Sequence, residues 1–272
     1  MILYRLLPIP ALILLVLVYL VPLFQVLVLS VTDPEPGLGN YALLFTNPGI
    51  ARMLGNTARI CAITAAMALI LGYAVSYALT QARPARRRLM LAGVLLPLWV
   101  SVLARGFAWV ALLRREGLVN TWLTRWGVID EPLPLMWNTF GVAVGMVHYM
   151  TPFAILAMAA HMQSIDRSLV AAARGMGATP GQAFRRVFLP LSLPGVAGAA
   201  VLVTIFSLGF YVTPVLLGGG RVLMVAEYVS LQIQELLRWG VGTMLATTLV
   251  FAIAALLGLL RLIGLRAIPG LR

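Results

Sequence analysis

Six apolar runs, roughly 8–31, 57–81, 89–113, 137–160, 193–217 and 241–263, limit what this chain can fold into. About 20 mostly apolar residues in a helix cross the hydrocarbon core of a bilayer, and every run reaches that length. Hydrophobic residues fill 61% of the 272 positions and charged residues only 10%. Soluble domains carry about a quarter charged residues, so this chain has too few polar groups to cover itself in water. Its solvent is lipid. The expected fold is all-α: a polytopic membrane protein of six transmembrane helices in a single transmembrane domain over residues 1–272. The first run follows Arg5 in the manner of a signal peptide. However, the stretch from Leu6 to Val31 exceeds a signal's apolar core and has no A-x-A cleavage site. It is read as a retained helix, broken or tilted near Pro8, Pro10 and Pro22.

The basic residues set function classes aside. All 20 are Arg, and Lys is absent. A P-loop ATPase needs the lysine of G-x-x-x-x-G-K-[ST], and a pyridoxal enzyme needs a Schiff-base lysine; neither chemistry is available. Cys61 is the only cysteine and is expected to be a small core residue. His and Cys do not cluster at metal-ligand spacing, and no Ser/His/Asp set or carboxylate pair stands out. No catalytic residue, metal or cofactor is therefore expected.

The Arg residues instead orient the helices. With the N-terminus inside, the inner segments hold Arg5, Arg83, Arg86, Arg87, Arg88, Arg167, Arg174, Arg185, Arg186, Arg261, Arg266 and Arg272. Those 12 Arg face one acid, Asp166, for a net +11, while the rest of the chain holds 8 Arg against 7 acids, a net +1. Both termini are expected to be cytoplasmic. The overall +12 is a topology signal and calls for no nucleic acid. On the outer side, Glu116–Gly127 and Glu227–Trp239 carry apolar residues at helical spacing, and both are expected to be short amphipathic helices with Trp at headgroup depth.

One inner segment is different in kind. Residues 161–192 are long and polar, and two short helices can be read from them. Asp166 caps the first, which passes through Ala171–Ala173 and stops at Gly177. Thr179 caps the second, with Pro180 at its first position and Gln182 completing a capping box. Leu189-Pro190 is expected to end it. Ala171, Ala172 and Gly177 are small enough for another protein's backbone to approach.

This segment resembles the EAA loop of permease subunits of type I ABC importers, a pattern of E-A-A, a later glycine and a closing I-x-L-P. Ala171-Ala172-Ala173 stands for E-A-A, Gly177 for the glycine and Val187-Phe188-Leu189-Pro190 for the close. Arg105-Gly-Phe-Ala-Trp109, Gly117-Leu-Val-Asn120 and Ser207–Gly220 are similar to the spermidine/putrescine-type branch. The resemblance implies a multi-pass permease domain in the bacterial inner membrane, with a cytoplasmic coupling-helix loop. Its implied partners are a separate cytoplasmic ATP-binding subunit in two copies, a second permease subunit that is homologous but not identical, and an extracytoplasmic solute-binding protein. The substrate it implies is a polyamine or a related small amino compound. Carried over by position, the ATPase-coupling residues are Ala171, Ala172, Ala173, Arg174, Gly177, Arg185, Arg186, Leu189 and Pro190. The family glutamate is Ala171 here, which leaves Arg174 or the Arg185–Arg186 pair to make the docking contact.

Polar and aromatic residues inside the runs are the candidates for a translocation pathway. Arg105 either snorkels to the outer surface or lines the path, and the sequence leaves both open. Trp109, Phe210 and Tyr211 are aromatic candidates, and Phe210-Tyr211 precedes Pro214 and Gly218–Gly220, where a helix can open. Arg59 is expected to snorkel, and His148 to be a hydrogen-bonded structural residue. A polyamine calls for carboxylates or aromatic faces, yet none of the eight acids lies in a membrane run. Arg105 suits an anionic or zwitterionic solute instead. An ion-coupled secondary transporter is the competing class; it would need intramembrane acids and internal repeats, and neither is evident.

Overall fold

The computed structural model describes residues 9–267, with side chains from Pro10 to Gly258. Arg5, Pro8, Arg272 and the side chains of Arg261 and Arg266 lie outside the described residues. In chain order the helices are α1 (Pro10–Thr32), α2 (Gly39–Thr46), α3 (Pro48–Gln81), α4 (Pro84–Trp99), α5 (Val102–Leu113) and α6 (Leu118–Arg125). They continue with α7 (Thr139–Gln163), α8 (Arg167–Gly175), α9 (Pro180–Leu208), α10 (Val212–Gly218), α11 (Val225–Ser230) and α12 (Trp239–Ala267). There is no strand among the described residues.

Among the described residues five helices, α1, α3, α7, α9 and the Trp239–Gly258 part of α12, are long and apolar enough to cross a membrane. The sixth span, expected as one helix at 89–113, is bent by 95° between α4 and α5. Pro97 has no N–H to give to the preceding turn, and Val100 and Ser101 follow in extended conformation with ψ of 133° and 138°. The fifth run, expected over 193–217, also divides: α9 stops at Leu208 and α10 begins at Val212.

Two prolines behave differently from the sequence reading. The second helix of the 161–192 segment does not end at Leu189-Pro190 but continues into the membrane as α9. A π turn, Phe184–Phe188, sits immediately before the proline, and Leu189 N–H bonds the Phe184 carbonyl five residues back. That wider turn makes room for the pyrrolidine ring where an α turn would clash. The same device precedes Pro22, where Val21 N–H bonds the Val16 carbonyl after the π turn Val16–Leu20. α1 is therefore not broken there.

The outer helices form, one of them displaced. α6 occupies the middle of the expected Glu116–Gly127 segment, and Asn120 is buried under it, bonding both the N–H and the carbonyl of Leu133 at 2.9 Å. The second starts at Val225 and runs through a π turn, Leu231–Glu235, then stops short of Trp239 because Leu237 takes a left-handed φ of 52°.

The backbone contacts divide the chain into two compact units, Met1–Gly55 with Met224–Arg272, and Asn56–Leu223. In the first, α1 packs along α12 and α2 braces the junction. Asn40 Nδ2 donates to the Asp33 carbonyl at 2.7 Å and to the Ser30 carbonyl at 3.3 Å, and the Ser30 and Tyr41 hydroxyls meet at 2.9 Å. The Asp33 carboxylate accepts the N–H of Gly240 at the start of α12.

In the second unit α7 is the central helix and α9 packs along it. The core there is Ala68, Met150, Ala154, Met158, Met162, Ala199 and Val203. Small residues bring the backbones together, as lipid-embedded packing requires. A Cβ on Gly72 would meet the Met158 methyl at 2.7 Å, and one on Gly195 would meet the His161 ring at 2.9 Å. Ser76 Oγ donates across to the Ile155 carbonyl at 3.0 Å, and the Tyr73 and Ser192 hydroxyls meet at 2.9 Å. Cys61 is a buried core residue, as the sequence suggests.

Gly240 tests the first unit. A Cβ there would collide with the Asp33 carbonyl and lie 2.7 Å from Asn40 Nδ2. Gly240→Ala is expected to lower thermal unfolding stability in detergent by about 1–3 kcal/mol, the usual cost of overpacking. Gly258→Ala, which faces open space, is expected to leave it unchanged.

Candidate functional site

The 161–192 segment folds as a bracket held by local caps. Asp166 accepts from Ser168 Oγ at 2.7 Å and from Ser168 N–H at 2.8 Å, and these two bonds hold its carboxyl below the usual range. α8 ends in a Schellman arrangement: Ala178 N–H bonds the Ala173 carbonyl at 3.1 Å, and Gly177 N–H bonds the Arg174 carbonyl at 3.0 Å. Gly177 supplies the left-handed residue that this closure needs, at φ 91°. Thr179 and Gln182 then exchange both bonds of a capping box, at 3.3 and 2.9 Å.

Aromatic and arginine side chains fasten the bracket to the bundle. The Tyr77 ring of α3 lies edge-on at 5.1 Å to both Phe184 and Phe188, which stack on each other at 5.9 Å. Arg167 donates to the Thr80 carbonyl in the last turn of α3, and Arg87 donates to Gln163 at the end of α7. Ala173 and Ala183 are buried against this anchor, while Ala171, Ala172, Arg174, Gly177, Arg185, Arg186 and Pro190 are exposed and Leu189 is half-buried. A cavity of about 380 Å³ opens beside Ala171, with Arg87, Arg167 and Arg174 in its wall.

A second cluster gathers at the break between α9 and α10. Phe210 lies there with its ring 4.4 Å from Tyr149, which stacks on Phe153 at 5.8 Å, and Phe153 meets Phe206 edge-on at 5.3 Å. These aromatic residues, with Met150, Ile205 and Gly209, line a cavity of about 320 Å³. The Arg105 guanidinium sits 4.3 Å above the Tyr149 ring, and its Nε and Nη1 are buried without a hydrogen-bond partner among the described residues.

Sequence and fold comparisons assign this architecture. The family model for the binding-protein-dependent transport system inner membrane component matches residues 81–266. The spermidine/putrescine transport system permease protein PotB of Haemophilus influenzae is 31% identical over 218 residues, 80% of this chain and 76% of that protein. PotB of Escherichia coli is 28% identical over 220 residues, 81% of this chain and 80% of that protein. The chain belongs to this family of ABC importer permease subunits. Its fold matches the crystal structure of a bacterial ABC transporter involved in the import of the acidic polysaccharide alginate, with a TM-score of 0.80 at 17% identity over 97% of this chain and 95% of that one. The family is a transport family of the inner membrane, and its members are multi-pass subunits rather than catalysts.

Within the permease the sequence-picked pathway residues separate. Arg105 and Phe210 share one cluster through Tyr149. Trp109 does not join it: its Nε1 donates to His148 Nδ1 at 3.2 Å, and both line a different, apolar groove with Phe140 and Pro97. His148 thus has the structural hydrogen bond expected of it. Tyr211 caps α10 with 42% of its surface exposed and is not part of the aromatic cavity wall. Arg59 is exposed, about three turns into α3 and two residues into the apolar run that begins at 57. The sequence reading missed Tyr149, Phe153 and Phe206. Their signal was present in the two i, i+4 aromatic pairs Tyr149–Phe153 and Phe206–Phe210, which share helix faces.

Proposed function

We propose that this permease domain, residues 1–272, forms half of a substrate pathway and couples through residues 161–192 to a separate cytoplasmic ATPase present in two copies. A second, non-identical permease subunit completes the pathway, and an extracytoplasmic solute-binding protein delivers the substrate. The observation that carries this reading is the capped bracket: a rigid α8–turn–α9 corner with small exposed residues at its tip and its buried side fastened to α3, α7 and α9. A corner of that kind passes a push from its tip into the membrane helices, because α9 is continuous from the bracket to Leu208.

For substrate, we propose a polyamine or a related small amino compound. Its support is the set of relatives named for spermidine and putrescine and the aromatic faces of Tyr149, Phe153, Phe206 and Phe210, which attract ammonium groups. The second permease subunit or the binding protein supplies the carboxylates. A second reading, an anionic or zwitterionic solute, is favoured by one observation, the unpartnered buried donors of Arg105.

Three measurements test these proposals. Without a lysine for nucleotide phosphates, the purified chain is expected to show no vanadate-sensitive ATP hydrolysis until an ATPase subunit is added; turnover by the chain alone overturns the coupling reading. Gly177→Val is strained by backbone conformation alone, since no atom lies within 4 Å of a Cβ there. The strain costs roughly 1–2 kcal/mol, too little to unfold the bundle. The variant is expected to insert normally yet lose ATPase binding or substrate-stimulated hydrolysis, and full coupled turnover would remove the bracket from the transmission path. Arg105→Ala separates the substrates: putrescine uptake is expected to persist, whereas loss of uptake confined to carboxylate-bearing solutes moves the assignment to the second reading.

A further inference from the structure

The cavity beside Ala171 has a cationic wall and no acid of its own. Arg87, Arg167 and Arg174 line it together with Gln81, Gln163 and Thr80. Arg87 and Arg167 each use one guanidinium donor, on Gln163 and on the Thr80 carbonyl, which pins them in place with donors to spare. The Arg174 guanidinium makes no hydrogen bond or ion pair among the described residues. The nearest acid in sequence, Asp166, is outside the cavity wall and has both oxygens bonded to Ser168. Three guanidinium groups around one open space of about 380 Å³ repel one another until an anion enters.

Ala171 explains why the space is open. A glutamate at this position would lie one turn before Arg174 on the same helix face, the i, i+3 spacing at which opposite charges pair. Alanine leaves Arg174 unneutralised and the cavity unfilled.

We propose that this cavity is a socket for a carboxylate side chain presented by the ATPase. The proposal rests on the coupling reading above and adds the charge of the contact: this chain supplies the cations and its partner the acid. A guanidinium fork binds a carboxylate through two parallel hydrogen bonds, so the socket fixes orientation as well as attraction. A protein fits the rim better than a lipid headgroup does. Leu169 is 47% exposed and Met176 84% exposed on the same short helix and its cap, and Ala171 and Ala172 between them admit a facing backbone. Apolar contacts around a central charged pocket are the make-up of a protein interface.

The test uses the full permease in nanodiscs of phosphatidylcholine, alone or mixed with phosphatidylglycerol, and its cognate ATPase, with affinity measured against NaCl concentration. Wild type is expected to bind without anionic lipid and to weaken as salt rises. Ala171→Glu occupies the socket from within and repels the incoming acid, so it is expected to weaken binding by about tenfold or more. Ala171→Gln, of equal bulk and no charge, isolates the charge, and is expected to bind several-fold more tightly than Ala171→Glu. Arg174→Gln is expected to bind more weakly with a shallower salt dependence. Binding of Ala171→Glu equal to or tighter than that of Ala171→Gln overturns the socket, as does binding that requires phosphatidylglycerol and ignores both substitutions, which identifies a headgroup as the occupant. If Gly177→Val uncouples hydrolysis while Ala171→Glu binds normally, the coupling reading stands and the socket alone falls. If wild type binds no ATPase, both fall.

Discussion

A backbone amide in the bilayer core has no water to bond, so every departure from continuous helix must satisfy itself or border a cavity. The permease meets this constraint in two ways. Ahead of two of its prolines a π turn absorbs the interruption: Val16–Leu20 before Pro22 and Phe184–Phe188 before Pro190. Each turn closes with a bond from the residue just before the proline to a carbonyl five back, so no amide is left open at the widened turn. At one of its breaks, 209–211, the backbone of Gly209 and Phe210 borders the aromatic cavity. Transporter backbones open in such places because the cavity, not lipid, receives the freed polar groups.

The same distinction explains what could be read in advance. The bracket was legible to the residue at its caps, since Asp166, Thr179–Gln182 and Gly177 act over three or four positions and need no tertiary information. Its far end was not. Leu189-Pro190 is a stop signal by local rules, and only the π turn, which has no sharp sequence signature, overrides it. The spans were found by hydropathy, but α3 starts at Pro48, well before the apolar run at 57, because helix and membrane boundaries need not coincide. The Arg105–Tyr149–Phe210 cluster joins three helices, and nothing short-range in the sequence connects them. Arg105 could be picked from the cost of a charge in lipid and Phe210 from its place before Pro214 and Gly218–Gly220; Tyr149, which joins them, required the fold.

An all-arginine complement of cations matters to both sites. Arg105 places its guanidinium carbon 4.3 Å from the centre of the Tyr149 ring, a cation–π contact that arginine makes more often than lysine. At the bracket, Arg167 of α8 binds a carbonyl in the last turn of α3, and Arg87 of α4 binds the Gln163 side chain at the end of α7. Both are positive charges placed at helix C-termini, where the helix dipole and the unpaired carbonyls favour them.

This placement links topology to the proposed coupling. The arginines that bias the inner segments toward the cytoplasm gather at the inner ends of the helices, where that bias acts. At those ends Arg167 also meets the Thr80 carbonyl and fastens α8 to α3, and Arg87 ties α4 to the Gln163 side chain at the end of α7. Each guanidinium has five donors and spends few of them internally, so the surplus faces outward around Ala171. The residues that orient the chain in the membrane are in part those that hold the bracket rigid. Their unspent donors form the charged surface that a docking partner meets.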